Sequence, residues 1–196
     1  MIIKSAEFVI SAAKTSQYPI DPFPEIAFAG RSNVGKSSLI NTLVNRKQLV
    51  KTSSTPGRTQ LINFFCINRS FFLVDLPGYG YAKVPAYVQK KWGPMVETYI
   101  ASRINLKAVA VIMDIRRTPN TFEHNLLAWL KELQLPPILI LTKADKISKI
   151  NQKKQRQKIG AALGVQTDEL PLFSSKTRLG KEKIWQIIIP LLKNPI

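Results

Sequence analysis

Residues 26–37 read IAFAGRSNVGKS, an apolar run followed by a glycine-rich loop. The loop fits the spacing G-x-x-x-x-G-K-S and leads into a segment of helical period. Its glycines let successive backbone N–H groups face a phosphate, and the following helix adds the positive end of its dipole. Lys36 can neutralise the β and γ phosphates, and the Ser37 hydroxyl can ligate Mg²⁺. The segment therefore predicts a nucleoside triphosphate site. Its candidate binding residues are Gly30, Arg31, Ser32, Asn33, Val34, Gly35, Lys36 and Ser37.

Short apolar runs alternate with segments of helical period along the rest of the chain. The apolar runs lie at 26–29, 61–67, 71–74, 109–113, 138–141 and 170–173, and the helical segments lie at 35–45, 122–133 and 184–192. Runs with little alternation are typical of parallel strands covered on both faces. We expect an α/β fold of the P-loop NTPase type, with a mostly parallel six-stranded sheet, one antiparallel strand and helices on both faces. Residues 68–70 predict a tight hairpin, and Pro190 is expected to kink or shorten the last helix.

Length and composition favour a single domain over residues 1–196, in which 1–21 form an N-terminal strand and extension. Hydrophobic residues make up 45% of the chain, which is enough for a substantial core. No apolar run approaches the roughly 18 residues that a membrane span needs. Glu7 interrupts the apolar start and Cys66 is the one cysteine, so we expect a cytoplasmic protein. Nothing in the pattern demands a dimer, and we expect a monomer.

The charge balance is strongly basic. Lys and Arg number 29 and Asp and Glu number 12, which gives a formal net charge of +17. Residues 26–74 contain no carboxylate, and a second basic stretch contains Lys146, Lys149, Lys153, Lys154, Arg156 and Lys158. A field of this sign attracts polyanions. Because no amphipathic terminal helix with aromatic anchors is present, the pattern favours RNA or an RNA-rich particle over a membrane surface.

A second motif follows the apolar run at 71–74 and reads DLPG at residues 75–78. A carboxylate at a strand end can hold Mg²⁺ through a water, and the Gly78 N–H can meet a γ-phosphate. Residues 51–60 read KTSSTPGRTQ, and we expect γ-phosphate and Mg²⁺ to order this segment as a switch. A threonine hydroxyl there can complete the magnesium shell. Thr59 lies just before the next strand, and Thr52 and Thr55 are the alternatives.

Residues 142–145 read TKAD and indicate a preference for guanine. Asp145 can accept hydrogen bonds from N1–H and the exocyclic amine of guanine, whereas adenine offers neither donor and leaves the carboxylate unpaired. The stem of Lys143 can lie over the base plane. A main-chain N–H after the run at 170–173 can meet guanine O6. The candidate residues are Thr142, Lys143, Ala144, Asp145, Phe173, Ser174, Ser175 and Lys176.

Five strings carry a family resemblance: GRSNVGKSSLIN at 30–41, TPGRTQLINFF at 55–65, DLPGYGYA at 75–82, TKADK at 142–146 and FSSK at 173–176. The chain resembles a translation-factor-type GTPase, and more narrowly the EngB/YihA family of bacterial ribosome-assembly GTPases. The resemblance implies a single GTPase domain that binds GTP and GDP, with Mg²⁺ held by Ser37 and Thr59. It also implies binding to a precursor of the large ribosomal subunit, with its rRNA and proteins, and a link to cell division and septation. Further nucleotide contacts implied by the resemblance come from Gly57, Arg58, Thr59, Gln60, Leu61, Asp75, Leu76, Pro77 and Gly78.

The residue after Gly78 is Tyr79, where a small signalling GTPase carries the glutamine that orients the attacking water. We therefore expect slow hydrolysis by the chain alone, and we assign no general base. Arg31 and Arg58 can supply positive charge, although phosphate or RNA contact is the simpler role for them. Asn33 stands where related GTPases hold K⁺ against the phosphates. Stimulation by K⁺, by the ribosome or by both is the resulting hypothesis.

Two other classes of protein share part of this pattern. A P-loop kinase acting on a small molecule would use the same phosphate loop, but the guanine motif and the absence of an Arg-rich lid insertion argue against it. An RNA-binding module with a regulatory or vestigial nucleotide site would share the basic composition. The presence of Lys36, Ser37, Asp75 and Asp145 together argues against a vestigial site.

Overall fold

The fold is taken from a computed structural model that describes residues 1–50, 61–78 and 86–193, the last range without the side chains of 86–92. Its helices are α1 (Lys36–Leu43), α2 (Ala86–Ser102), α3 (Thr121–Glu132), α4 (Lys149–Leu163) and α5 (Lys181–Lys193). Single 3₁₀ turns occur at Thr15–Gln17, Ala144–Lys146 and Thr167–Glu169. None of the helices over these ranges combines the length and apolar character that crossing a membrane requires.

The centre of the molecule is a six-stranded sheet in the order β1-β3-β4-β2-β5-β6. Its strands are β1 (Ala6–Ala12), β2 (Glu25–Gly30), β3 (Ile62–Ile67), β4 (Phe71–Asp75), β5 (Leu106–Asp114) and β6 (Pro137–Thr142). The strand β3 is antiparallel to both of its neighbours, and the remaining pairs are parallel. The predicted fold, a mostly parallel sheet of six strands with one antiparallel strand, is confirmed.

Helices cover both faces of the sheet, because the side chains of its buried strands alternate between two cores. On one face Val109 and Val111 of β5 share a core with residues of α2, α3 and α4, among them Tyr99, Leu130 and Ile159. On the other face the neighbouring residues of β5 share a core with α1 and α5. That second core contains Ala108, Ala110, Ile112, Leu39, Ile40, Ile184 and Trp185. This arrangement explains why β5 reads as a continuous apolar run.

The hairpin between β3 and β4 forms where the sequence predicts it. Asn68 and Arg69 have φ angles of 52° and 50°, and the Ser70 N–H donates to the Ile67 carbonyl at 3.0 Å. Two consecutive positive φ angles are what a type I′ turn requires, and asparagine tolerates them better than most residues. The connection therefore matches the twist of the strands that it joins.

Two predictions about secondary structure were wrong. The expected strand at 170–173 is a single bridge between Leu172 and Leu141, because the chain turns away at once and the Ser174 N–H donates to the Leu179 carbonyl. The predicted shortening of the last helix at Pro190 is the second, since the helix continues to Lys193; the alternative, a kink at Pro190, stays a prediction. Pro190 is exposed, and so is Gln186, whose carbonyl loses its helical partner, so solvent can satisfy that carbonyl.

A buried charge cluster fastens the C-terminal end of α2 to the start of β2. The Glu25 carboxylate has no exposure; it accepts a hydrogen bond from Tyr99 Oη at 2.7 Å and one from Arg103 Nε at 2.8 Å. Arg103 also donates to the Pro19 carbonyl at 2.8 Å and lies over the Tyr18 ring. Burial, followed by the nearby Glu25 charge, raises the pKa of Tyr99 well above its usual value, so its hydroxyl stays a donor. We call Glu25, Tyr99 and Arg103 the Glu25 anchor.

Candidate nucleotide-binding site

The phosphate loop lies at the carboxyl end of β2, between the ends of β4 and β5. Gly30 must be a glycine, since a Cβ there would lie 2.9 Å from the Ile112 carbonyl oxygen. Asn33 and Gly35 have φ angles of 62° and 106°, so the loop turns through left-handed conformations before α1 begins at Lys36. The predicted strand, loop and helix are therefore present in the predicted order.

Lys36 and Asp75 form an ion pair at the base of this loop. Lys36 is 7% exposed and Asp75 is fully buried at the end of β4. Asp75 Oδ1 accepts from Lys36 Nζ, whereas Asp75 Oδ2 is a buried oxygen without a hydrogen-bond partner among the described residues. A buried carboxylate oxygen of this kind is costly unless a ligand or a bound water satisfies it. The pair is therefore suited to contact a phosphate through Lys36 and a hydrated cation through Asp75.

The DLPG motif packs directly against the phosphate loop. Ser32 Oγ lies 3.5 Å from the Gly78 carbonyl oxygen, and a Cβ at Gly78 would lie 2.9 Å from Ser32 Oγ and 3.1 Å from Ser32 Cα. Leu76 continues the strand pairing by donating its N–H to the Phe28 carbonyl at 3.1 Å, and its side chain is buried. Pro77 is also buried. Gly78 is thus the residue of this motif that reaches the phosphate side.

The guanine motif braces the phosphate loop from the opposite side. The buried Thr142 hydroxyl donates to the Val34 carbonyl at 2.6 Å. Lys143 has a φ of 61°, and its Nζ donates to the Asn33 carbonyl at 2.7 Å. Lys143 therefore ties two predicted binding loops together, in addition to presenting its stem to a base.

Asp114 and Arg116 belong to this constellation, and the sequence analysis missed them. Asp114 ends β5 opposite Thr142, lies 3.1 Å from Lys143 Nζ and accepts two side-chain bonds from Arg116 at 2.9 and 2.7 Å. Burial by itself would raise the pKa of Asp114, but the hydrogen bonds from Arg116 and Lys143 outweigh it and lower the pKa to about 2. The available signal was an acid at the end of a third central strand, next to two arginines. A pocket beside it is lined by Arg31, Asn33, Asp114, Arg117, Thr118 and Lys143.

Asp145 is oriented by Ser174 at the far end of the site. The fully buried Ser174 hydroxyl donates to Asp145 Oδ1 at 2.7 Å, and this bond is the main cause that lowers the pKa of Asp145. The Ala144 N–H donates to the Phe173 carbonyl at 3.1 Å, so the two predicted guanine loops are joined by their backbones as well. The Phe173 side chain is buried in the core rather than presented to a ligand.

The hydrogen bonds of residues 173–177 reduce the number of main-chain N–H groups that can donate to guanine O6. The Phe173 and Ser174 N–H groups donate to Leu141 and Leu179 carbonyls, and the Thr177 N–H donates to Ser174 Oγ. Within the described ranges the N–H groups of Ser175 and Lys176 have no acceptor, and both residues are exposed. These two groups are therefore the candidates for O6.

The residues present fit Mg²⁺, although the predicted set of ligands is only partly described. Ser37 lies in the first turn of α1, next to the Lys36–Asp75 pair, and Asp75 Oδ2 is available to a metal-bound water. No group of three His, Cys, Asp or Glu side chains suited to a metal occurs in the described ranges. Thr59 lies outside the described residues, as do Gly57, Arg58, Gln60 and Tyr79. Leu61 is described and is 38% exposed.

Comparison with known proteins defines the class. Residues 25–143 match the model of a family described as 50S ribosome-binding GTPase. A crystal structure of a probable GTP-binding protein EngB superposes with a TM-score of 0.71 at 24% identity, covering 86% of this chain and 98% of that chain. Era from Aquifex aeolicus bound to GDP·AlF₄⁻ superposes with a TM-score of 0.68 at 22% identity, covering 88% of this chain and 57% of that one. These structures show a shared fold. The fold and the family match define a P-loop GTPase.

The curated relatives narrow the assignment. A probable GTP-binding protein EngB from Geotalea daltonii is 58% identical over 192 residues, covering 98% of this chain and 93% of that protein. A protein of the same description from Desulforapulum autotrophicum is 54% identical over 195 residues, covering 100% of both. The chain belongs to the EngB family of GTP-binding proteins. Membership of this family excludes the alternative of a P-loop kinase acting on a small molecule. The activity that it assigns to the chain is GTP hydrolysis.

Proposed function

We propose that this chain is a GTP-dependent switch that acts on a precursor of the large ribosomal subunit, and that through this role it supports cell division and septation. The observation that carries the proposal is the contact between Gly78 and Ser32, since it sets the DLPG motif against the phosphate loop. A γ-phosphate bound by this loop meets the Gly78 N–H. The DLPG motif would thereby distinguish GTP from GDP.

In this proposal each predicted loop has one task. Residues 30–37 hold the phosphates, with Lys36 on the β and γ groups. Ser37 and Thr59 hold Mg²⁺, which would neutralise phosphate charge, and Asp75 orients a water of its shell. Asp145 reads guanine, with the Ser175 or Lys176 N–H on O6. The described contacts that support these tasks are the Lys36–Asp75 pair and the Ser174–Asp145 bond.

Two features support a ribosomal partner. The matching family is described as binding the 50S ribosome, and the net charge of +17 suits an RNA-rich particle. Among the structural neighbours, Era has been crystallised with MgGDPNP and nucleotides 1506–1542 of 16S ribosomal RNA. The RNA in that complex belongs to the small subunit, so the choice of the large subunit here follows the family description.

The test is sedimentation of the chain with purified large ribosomal subunits in GDP or in a non-hydrolysable GTP analogue. We expect affinity to be about tenfold higher with the analogue, because the bound γ-phosphate favours the docking arrangement. Equal affinities in the two nucleotides would refute the switch. The Asp145→Asn variant is the control: it should lose the response to guanine nucleotides and regain it with xanthosine nucleotides, because the amide donates where the carboxylate accepted.

A further inference from the structure

A basic surface lies on α4, the helix that follows the guanine motif. Residues 149–163 read KINQKKQRQKIGAAL, with five Lys or Arg residues and no carboxylate. Lys149, Lys153, Lys154 and Lys158 are all exposed. Across the described ranges none of these four has an ion pair or a side-chain hydrogen bond. We call these four lysines the α4 face.

This distribution of charge is unfavourable for the helix on its own. Lys149 and Lys153 are four residues apart, as are Lys154 and Lys158, and like charges at this spacing repel. Lys149 also stands in the first turn, where the helix dipole favours an acid. The helix α3 shows the favourable order, with Glu123 in its first turn and Lys131 in its last. A polyanion that binds α4 would remove both costs.

The attachment of α4 to the rest of the molecule is slight and is directed at the guanine side. Of its residues only Ile159 and Gly160 are buried. Gln152 Nε2 donates to the Ala144 carbonyl at 2.9 Å, and Arg156 Nε donates to the Leu170 carbonyl at 2.8 Å. Within the described ranges α4 makes no hydrogen bond to residues 76–78. The described hydrogen bonds that hold α4 are therefore on the guanine side of the site, and guanine is common to GTP and GDP.

We infer that the α4 face is an RNA-docking surface that binds equally in both nucleotide states. The inference rests on the proposed ribosomal role. It adds an electrostatic contact whose strength is the same with GTP and GDP to the nucleotide-dependent contact of the proposed switch. Within each of the pairs Lys149/Lys153 and Lys154/Lys158 the lysines are about 6 Å apart along the helix axis, which suits a phosphate backbone. An anionic membrane is the weaker match, since α4 contains no aromatic residue and its one exposed large apolar residue is Ile150.

The test compares two triple variants that each remove three positive charges. The first is Lys153→Gln, Lys154→Gln and Lys158→Gln on α4. The control is Lys4→Gln, Lys14→Gln and Lys131→Gln, three exposed lysines elsewhere. Each variant is titrated with purified large subunits, with an RNA hairpin of unrelated sequence and with vesicles rich in anionic lipid, across a salt series and in both nucleotides.

We expect the α4 variant to lose about tenfold in affinity for subunits and hairpin, by the same factor with GDP and with the GTP analogue. The slope of log affinity against log salt should fall by about 2 to 3, because about 0.7–0.9 of a counterion is released per phosphate contact. The control should stay within about twofold of the native chain. Affinity for GDP should not change, since within the described ranges none of the three lysines forms an ion pair or a side-chain hydrogen bond with residues 30–37, 75–78, 142–145 or 173–176.

Three results would overturn the inference: an α4 variant that binds RNA normally, a control that loses as much, or a loss confined to vesicles. A loss seen in one nucleotide only would also contradict it. The proposed switch fails on different grounds, namely when the native chain binds subunits equally in both nucleotides. In that case a selective loss by the α4 variant still supports RNA docking. If the native chain does not bind subunits at all, the hairpin titration decides the inference alone.

Discussion

At the scale of single residues, the site depends on carboxylates whose partners differ in kind. Asp75 is buried with one oxygen paired to Lys36 and the other unpaired, which suits a ligand-dependent contact. Asp114 has several donors and acts as a structural brace. Asp145 accepts a hydrogen bond from Ser174 at Oδ1, and its Oδ2 lies 3.6 Å from Nζ of the exposed Lys146. Asp114 thus differs from Asp75 and Asp145, each of which accepts one side-chain hydrogen bond among the described residues.

The Asp114→Asn variant tests whether the bonds of Asp114 to Arg116 and Lys143 stabilise the fold, through the pH dependence of the free energy of unfolding. The folded pKa of about 2 lies below the ordinary 3.8, so Asp114 stabilises the fold above about pH 4 and loses that contribution as the pH falls through 2. We expect the variant to be less stable than the native chain by about 2 kcal/mol at pH 7, with the difference closing towards pH 2. Urea unfolding from pH 7 to pH 2 measures it, and a gap that stays constant with pH would contradict the assignment.

At the scale of elements, the sequence predicts what local chemistry determines. The phosphate loop, the hairpin at Asn68 and the guanine motif are each set by a few adjacent residues, and each lies where expected. The Asp114 brace could not be predicted in this way, since it depends on the pairing of β5 with β6 that sets Asp114 opposite Thr142. The single bridge at Leu172 could not be predicted for the same reason. The apolar run at 170–173 has the composition of a strand, and only the tertiary path of the chain shows that one of its residues pairs with β6.

The Glu25 anchor gives a prediction about the joint between α2 and the sheet. Tyr99→Phe removes one donor from a fully buried carboxylate, and we expect it to lower the free energy of unfolding by about 2 kcal/mol. Tyr18→Phe is the matched control: its ring contacts Tyr99 at 5.5 Å, but its hydroxyl has no hydrogen bond among the described residues. It should cost under about 0.5 kcal/mol. Urea unfolding separates the two, and equal costs would contradict the anchor.

At the scale of the whole molecule, binding and anchoring occupy opposite ends of one sheet. The strands β2, β4, β5 and β6 all end at the nucleotide side, where Asp75, Asp114 and Thr142 lie. The Glu25 anchor lies at the amino end of β2. Because the parallel strands bring their carboxyl ends to one edge, residues from four distant segments meet there. The sheet thus separates the candidate nucleotide site from the anchor that holds α2.

The rate of GTP hydrolysis by the whole protein should depend on the monovalent cation. We expect GTP hydrolysis to be about tenfold faster in K⁺ than in Na⁺, with and without large subunits, because a cation beside Asn33 would stabilise transition-state charge. Asn33→Gly keeps the left-handed backbone, where φ is 62°, and removes the amide, so it should abolish the difference between the two salts. Steady-state phosphate release measures this. Identical rates in both salts for the native chain would refute the role of K⁺.

The Glu25 anchor has a consequence for the proposed switch. Tyr99 and Arg103 hold the C-terminal end of α2 to the sheet through Glu25, so a displacement of the helix in that switch would be a rotation about this end rather than a translation. Pro94 lies about midway along α2. Because proline has no N–H to donate, it removes one hydrogen bond of the helix, and such positions favour bending. In such a rotation the largest displacement would fall at the N-terminal end of α2, at Ala86, and a partner that distinguishes the two nucleotides would best contact the helix there.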